Sequence, residues 1–407
     1  MKKTIQVACI GIAMALLAGI FAEKVHHDSI FSWHSLTCAC AEEENAAAKN
    51  GLEVCAKSAY VMEIESGTPI YQKEETKRLP IASMCKIMTL LLVFEAIDEG
   101  VISMDEELSI SENAAAMGGS QVFLEANGKY LVRELIKSVV VCSANDSCVA
   151  LAERISGSDE AFVDRMNERA KELGCNNTLF ANCTGLPKEP QYSCAADVAK
   201  MMKALLSHEG YFAFGKIWMD KFQHPEGRYT EISNTNRLVK FYDGCDGGKT
   251  GFTNQAGFCL AATAKRNNMR IISVVIGEEN SKQRFADVSK TFDYAFANYS
   301  MQTIVDASMP LKENVCTVGG KQTMLSVIPM RDGCVFLKRG EKGNITTEIE
   351  LPTTLTAPVQ KGEQVGEIII YRDGVEIDKI QLIANENVEK AGFFDCLHDV
   401  SNAWNFN

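Results

Sequence analysis

The stretch Leu79-Pro80-Ile81-Ala82-Ser83-Met84-Cys85-Lys86-Ile87-Met88-Thr89-Leu90-Leu91-Leu92-Val93-Phe94-Glu95-Ala96-Ile97 decides how this chain reads. From Ile87 to Ile97 it is apolar nearly all round, until Asp98-Glu99-Gly100 stops it. That pattern predicts a helix buried in a core rather than an amphipathic surface helix. Ser83 and Lys86 enter this helix three residues apart, a spacing that puts two side chains on one face. The Lys86 ammonium is therefore expected to reach the Ser83 hydroxyl. Ile87, Met88, Leu90 and Leu91 would strip water from the lysine. Burial lowers a lysine pKa, and a neutral lysine can take a serine proton. A serine at a helix start also lies at the positive end of the dipole, which suits developing negative charge. Taken alone, SxxK is equally an N-cap serine followed by a solvated lysine, so the rest of the chain has to decide.

On either side the chain mixes strand and helix signals. Ala59–Ile64, Glu65-Ser66-Gly67 and Thr68–Gln72 read as a β-hairpin, and Gly257–Ala264 with Arg270–Ile276 as a second one around the polar turn Lys265–Met269. Leu131–Ile155 is helical but interrupted near Cys142-Ser143, and Phe162–Leu173 is an amphipathic helix stopped by Gly174. Strands at both ends with helices between predict an α/β (α+β) body, an antiparallel sheet flanked by helices. From about Ser300 helical periodicity gives way to short strand-like runs: Thr303–Val305, Leu325–Ile328, Cys334–Leu337, Glu367–Tyr371 and Val375–Leu382. The last two bracket Arg372-Asp373-Gly374, a hairpin signal. The expected organisation is a catalytic body over 42–300, a small all-β domain over 301–385 and a C-terminal amphipathic helix over 386–407. Phe393, Phe394, Leu397, Val400 and Trp404 recur there at helical spacing. That helix would either touch a membrane surface peripherally, against which its acidic Asp395 and Asp399 argue, or dock on the protein.

Residues 1–41 read as an address. Met1-Lys2-Lys3 is positive and Thr4–Ala22 apolar, the layout of a secretory signal cleaved after Ala22 or Ala41, or of an uncleaved anchor. Either way the remainder lies outside the cytoplasmic membrane. The fifteen cysteines do not form a stapled framework. Most sit singly in apolar runs, as in Phe258-Cys259-Leu260, and read as small buried residues with free thiols.

Composition removes several function classes. The 407 residues are 46% hydrophobic and 23% charged, ordinary for a globular chain. A net charge of -12 argues against a nucleic-acid partner. Of six histidines only His208 and His224 fall within the body, and neither HExxH nor GxSxG occurs. A zinc protease or Ser-His-Asp hydrolase is thereby excluded, and no metal or cofactor is expected.

Two further motifs complete the set. Ser143-Ala144-Asn145 follows the apolar run Ser138–Cys142 and by itself could be a turn or cap. Lys249-Thr250-Gly251 lies in Gly247-Gly248-Lys249-Thr250-Gly251-Phe252-Thr253. A phosphate loop would need glycine at 243, which is Asp243, and strand-like rather than helical sequence follows. A strand whose backbone lies along a substrate fits instead, with glycines permitting close approach.

SxxK, SxN and KTG in that order resemble penicillin-binding proteins and serine β-lactamases. More closely, the chain resembles the low-molecular-mass penicillin-binding proteins that are D-alanyl-D-alanine carboxypeptidases. The likeness extends to Ser233-Asn234-Thr235-Asn236-Arg237-Leu238, Asn182-Cys183-Thr184-Gly185-Leu186-Pro187 and Tyr192-Ser193-Cys194-Ala195-Ala196-Asp197, and to the layout of leader, catalytic domain, β domain and terminal helix. The resemblance implies the penicillin-binding/β-lactamase-like transpeptidase fold. It implies Ser83 as nucleophile and Lys86 as its base, with Ser143 relaying a proton to the departing D-alanine. Asn145 would hold the substrate amide and position Lys86, and Lys249 and Thr250 would bind the terminal carboxylate. Gly251 belongs to the same substrate-binding run, and the backbone N–H groups of Ser83 and Phe252 would form the oxyanion hole. The implied partners are the peptidoglycan stem peptide ending in D-Ala-D-Ala and, as inhibitors, β-lactams. Phe252 stands where some relatives carry histidine, and Ala144 replaces a common glycine. A β-lactamase and a non-catalytic wall-binding protein on the same scaffold are the competing readings.

Overall fold

The computed structural model describes residues 51–311, 314–341 and 343–404; the expected leader over 1–41 falls outside them. Contacts divide the chain into two units, one built mainly from Pro69–Thr263 and Ile272–Thr291, the other mainly from Phe292–Asn407.

The first unit is organised on a five-stranded sheet. In chain order its parts are β1 (Ser58–Glu63), β2 (Pro69–Lys73), α1 (Lys86–Asp98), α2 (Val132–Cys142), α3 (Asn145–Ser156), α4 (Asp159–Glu172), α5 (Ala195–Leu206), β3 (Cys245–Thr253), β4 (Gly257–Arg266), β5 (Met269–Glu278) and α6 (Ser281–Asn298). The strand order is β2-β1-β5-β4-β3. β1 and β2 pair antiparallel, with Ala59 opposite Lys73, as the first hairpin required. The turn between β4 and β5 is Asn267-Asn268, both at positive φ (49° and 62°). Asparagine tolerates that region, and its twist matches the flanking strands. β3, β4 and β5 are buried along almost their whole length. α1 is buried from Lys86 through Phe94 and again at Ala96, and packs against α3 and α5. Its surroundings are protein on all sides, which is why it shows no polar stripe. α4 is the amphipathic case. Ser158 caps it by accepting from the Ala161 N–H, acids open it and Arg169 and Lys171 close it, matching the helix dipole. The interruption expected near Cys142-Ser143 is two residues long: Ser143, at φ 66°, ends α2 in the left-handed region, and Ala144 leads into α3.

The second unit is all-β apart from its helical ends. Gln364–Arg372 and Val375–Ala384 form the expected hairpin, and Asp373 and Gly374 turn it with positive φ at both positions (52° and 81°). Its core gathers Val305, Leu325, Val335, Ile368, Ile370, Ile380 and Leu382. The run Leu325–Ile328 is not one strand. Met324–Leu325 pairs with Val315-Cys316, and after Ser326 Val327–Pro329 pairs with Leu382–Ala384 of another sheet. Ile345–Glu350 is a strand the sequence did not suggest. It is mostly exposed, so it carries no apolar run. A C-terminal helix, α7, spans Phe393–Trp404, with Phe393, Phe394 and Leu397 exposed. No helix among the described residues is long and apolar enough to cross a membrane. Cys85, Cys148, Cys175, Cys183, Cys194, Cys245 and Cys259 are buried free thiols, but Cys55, Cys316 and Cys396 are exposed, contrary to a purely interior use of cysteine.

Candidate active site

Ser83 does not occupy the first turn of α1, as the spacing suggested. It lies in a separate 3₁₀ turn, Ala82–Cys85, directly before it. Ala82 holds φ 48° there, a conformation costing a non-glycine residue about 1–3 kcal/mol. Its neighbours hold the turn in place. A Cβ on Gly185 would stand 2.2 Å from the Ala82 carbonyl oxygen and 2.8 Å from the Ser83 nitrogen, and one on Gly251 would stand 2.5 Å from the Ile81 carbonyl oxygen. Only glycine allows the 182–187 segment and β3 to press directly against the backbone of the serine turn.

The 3₁₀ geometry still brings the two side chains together. Lys86, with no exposed surface, places Nζ 3.3 Å from Ser83 Oγ, donates to Asn145 Oδ1 at 2.7 Å and to the Thr184 carbonyl oxygen at 2.5 Å. The two oxygens can only accept. Nζ is thus surrounded by three oxygens, of which Ser83 Oγ is the most distant. Thr184 is aimed by Asn182, whose Oδ1 accepts from the Thr184 N–H at 3.2 Å and the Gly185 N–H at 2.7 Å.

Ser143 and Asn145 arrive together from the α2–α3 junction, and Ser143 Oγ is buried with no hydrogen-bond partner among the described residues. Lys249 and Thr250 lie on β3, 2% and 7% exposed. The strand is positioned from below: the Gly248 N–H donates to Tyr211 Oη at 2.9 Å, and Asn236 Nδ2 donates to the Gly247 carbonyl at 3.1 Å. Phe252 is half exposed, its ring 4.3 Å from that of Phe258. Ser83, Ser143, Thr250, Gly251 and Phe252 all line one cleft of about 770 Å³, with Arg237 and Arg284 on its wall. Of the residues singled out from the sequence, these five line the cleft; Lys86 and Asn145 connect to it through Ser83 Oγ, and Lys249 precedes Thr250 on β3. Thr184, Gly185 and Arg284 were missed. The first two sit in the quoted run Asn182–Pro187, which carried no assigned chemistry; nothing around Arg284 marked it. Arg284 donates to the Gly251 carbonyl oxygen at 3.3 Å, and burial draws its guanidinium down to about 10.

Burial, and after it the positive charge of Lys86, draw Lys249 down to about 7. In the free protein its cationic form is thus lost as pH rises through about 7. If that cation attracts the substrate carboxylate, kcat/KM falls along a basic limb near there, and the limb in kcat lies higher because a bound carboxylate favours the charged lysine. Lys249→Arg, which cannot deprotonate, is expected to abolish the limb; a limb unchanged in that variant excludes Lys249 as its source. The stability sign is opposite. Between about 7 and 10.5 the unfolded chain holds the proton that the folded one has released, so stability rises with pH across that window.

A family model described as D-alanyl-D-alanine carboxypeptidase matches residues 43–280. The chain belongs to this carboxypeptidase family. A second model, for the C-terminal domain of penicillin-binding protein 5, matches residues 299–390. D-alanyl-D-alanine carboxypeptidase DacF of Bacillus subtilis is 41% identical over 350 residues, covering 86% of this chain and 90% of that protein. The crystal structure of penicillin-binding protein 5 from Haemophilus influenzae matches at TM-score 0.64 and 29% identity, covering 83% of this chain and 98% of that one. Penicillin-binding protein D2 from Listeria monocytogenes in its ampicillin-bound form matches at TM-score 0.54 and 31% identity, covering 60% of this chain and 99% of that one. The two matches do not overlap: one ends at residue 280 and the other begins at residue 299.

Proposed function

We propose that this chain is a serine-type carboxypeptidase that removes the terminal D-alanine from peptidoglycan pentapeptides through an acyl-enzyme on Ser83, and that penicillin inhibits it by acylating the same oxygen. Lys86 Nζ takes the proton from Ser83 Oγ as that oxygen bonds to the penultimate D-alanine carbonyl carbon. The resulting oxyanion is held by the backbone N–H groups of Ser83 and Phe252, each worth about 2.7–4 kcal/mol in the transition state. As the C–N bond breaks, Ser143 Oγ, without an internal partner among the described residues, gives its proton to the departing amine and takes up the one Lys86 holds, which leaves Lys86 neutral again. Lys249 and Thr250 hold its carboxylate, and Arg284 adds positive charge on the same wall of the cleft. Water then cleaves the ester, with Lys86 again as base. The observation that carries this reading is the setting of Lys86 Nζ, buried 3.3 Å from Ser83 Oγ and held in place by two acceptors, Asn145 Oδ1 and the Thr184 carbonyl oxygen.

The reading includes export through a leader over 1–41, a catalytic domain over 42–300, a β domain over 301–385 and a terminal segment over 386–407, expected as a helix throughout but helical only over Phe393–Trp404 among the described residues, that rests on a membrane surface. Exposed Phe393, Phe394 and Leu397 support that last part. One preparation tests it. D-alanine release from a pentapeptide, blocked by prior labelling with fluorescent penicillin, is expected, as is cosedimentation with lipid vesicles that is lost when 386–407 is removed. Rapid penicillin turnover without D-alanine release would make the protein a β-lactamase, and labelling without either turnover would make it a binding protein.

A further inference from the structure

The two ends of the Asn145 amide have nearly the same shape, but they are opposite in chemistry. Oδ1 toward Lys86 accepts an N–H and leaves the lysine lone pair for Ser83. Nδ2 toward Lys86 would donate into that lone pair and remove the base. The orientation is fixed from outside the motif, by the segment 116–124, which has no regular secondary structure. Its Gly118 carbonyl oxygen accepts from Asn145 Nδ2 at 2.7 Å, and its Ser120 carbonyl oxygen accepts from the Asn145 N–H at 2.7 Å. Gly119 passes so close that a Cβ there would lie 2.8 Å from Nδ2.

A segment without a ladder of its own needs an anchor, and the next residue in the chain supplies it. Asp146 is completely buried. Its Oδ2 accepts from the Val122 N–H at 3.0 Å and the Leu124 N–H at 3.1 Å, while Oδ1 accepts from the Ser147 N–H at 2.9 Å. A buried carboxylate whose partners are backbone N–H groups is costly unless those groups are held to it, so it ties them firmly. We propose that Asp146 is a positioning residue for the reaction: by pinning 122–124 it holds the Gly118 and Ser120 carbonyls against Asn145, and so keeps the oxygen of that amide turned toward Lys86. The inference rests on the reading of Ser83 and Lys86 as nucleophile and base.

The test is a double-mutant cycle on the rate of acylation by fluorescent penicillin, expressed per titratable site in the full chain. Asp146→Asn keeps the size but turns an NH2 toward an N–H donor. It is expected to slow acylation about 10- to 100-fold, the scale of a small misplacement in a catalytic site, with the number of titratable sites unchanged. In an Asn145→Ala background the same substitution is expected to cause no further slowing, because its route of action is gone. Additive effects in the cycle, a normal rate per site, or a loss of sites without a change in rate overturns the proposal. If Asp146→Asn does not fold, Gly119→Ala enters the same cycle. It disturbs the amide from the loop side at φ +81° and carries the same expectations. Failure of the parent chain to acylate at Ser83 would instead sink the catalytic reading, independently of the cycle.

Discussion

Ser83→Ala is expected to lower D-alanine release by about four to six orders of magnitude, the scale seen when a nucleophile is removed from a serine peptidase, and to abolish covalent labelling by penicillin. The fold should barely respond. Ser83 is only partly buried, and the internal hydrogen bond recorded for its hydroxyl is the 3.3 Å contact from Lys86, a bond worth about 1 kcal/mol. The result separates serine chemistry from its one plausible rival. Cys142 adjoins Ser143 in the chain, but burial pushes its thiol up to about 11, and its Sγ donates to the Ser138 carbonyl oxygen at 3.2 Å. A protonated thiol engaged as a donor is a poor nucleophile. Penicillin label that persists in Ser83→Ala, mapped by mass spectrometry to Cys142, would refute the assignment.

Lys86→Met is expected to slow acylation by about 10⁴-fold or more while changing stability far less. Methionine replaces most of the lysine stem and keeps α1 packed. It removes the amine and leaves Asn145 Oδ1 and the Thr184 carbonyl oxygen without their donor. Orphaned buried acceptors cost about 1–3 kcal/mol each. Sparing the desolvation of the polar lysine head offsets part of that. A loss of rate accompanied by a midpoint of thermal unfolding within a few degrees of the parent is the expected signature. Acylation at close to the parental rate would mean that another group serves as base. Equal collapse of rate and stability would mean that Lys86 is a structural cation.

How much of this was legible follows from which residues carry a local pattern. The buried α1, the β4–β5 hairpin and the break at Ser143 follow from periodicity and turn chemistry over a few neighbouring residues. Ile345–Glu350 did not announce itself, because an exposed edge strand lacks the alternation that marks a half-buried one. Leu325–Ile328 misled because an apolar run says nothing about which partner each residue takes. In the site, Ser83, Lys86, Ser143, Asn145 and Lys249 were recognisable through short motifs in a fixed order. Thr184 acts through its backbone carbonyl, for which a side chain gives no signal. Arg284 reaches the cleft from a helix 33 residues beyond Gly251.

The sequence by itself determined the helix that buries Lys86, the three motifs and their order, and the change from a mixed body to an all-β domain, because each is written in local spacing and composition. Only the tertiary structure decided that Ser83 belongs to a 3₁₀ turn wedged between Gly185 and Gly251, that a second lysine, Lys249, is buried close enough to feel the charge of Lys86, and that Asn145 turns its oxygen inward. Those outcomes depend on backbone groups far apart in the chain meeting within a few ångströms, and a hydrogen bond to a distant carbonyl leaves no trace in the residue that supplies it.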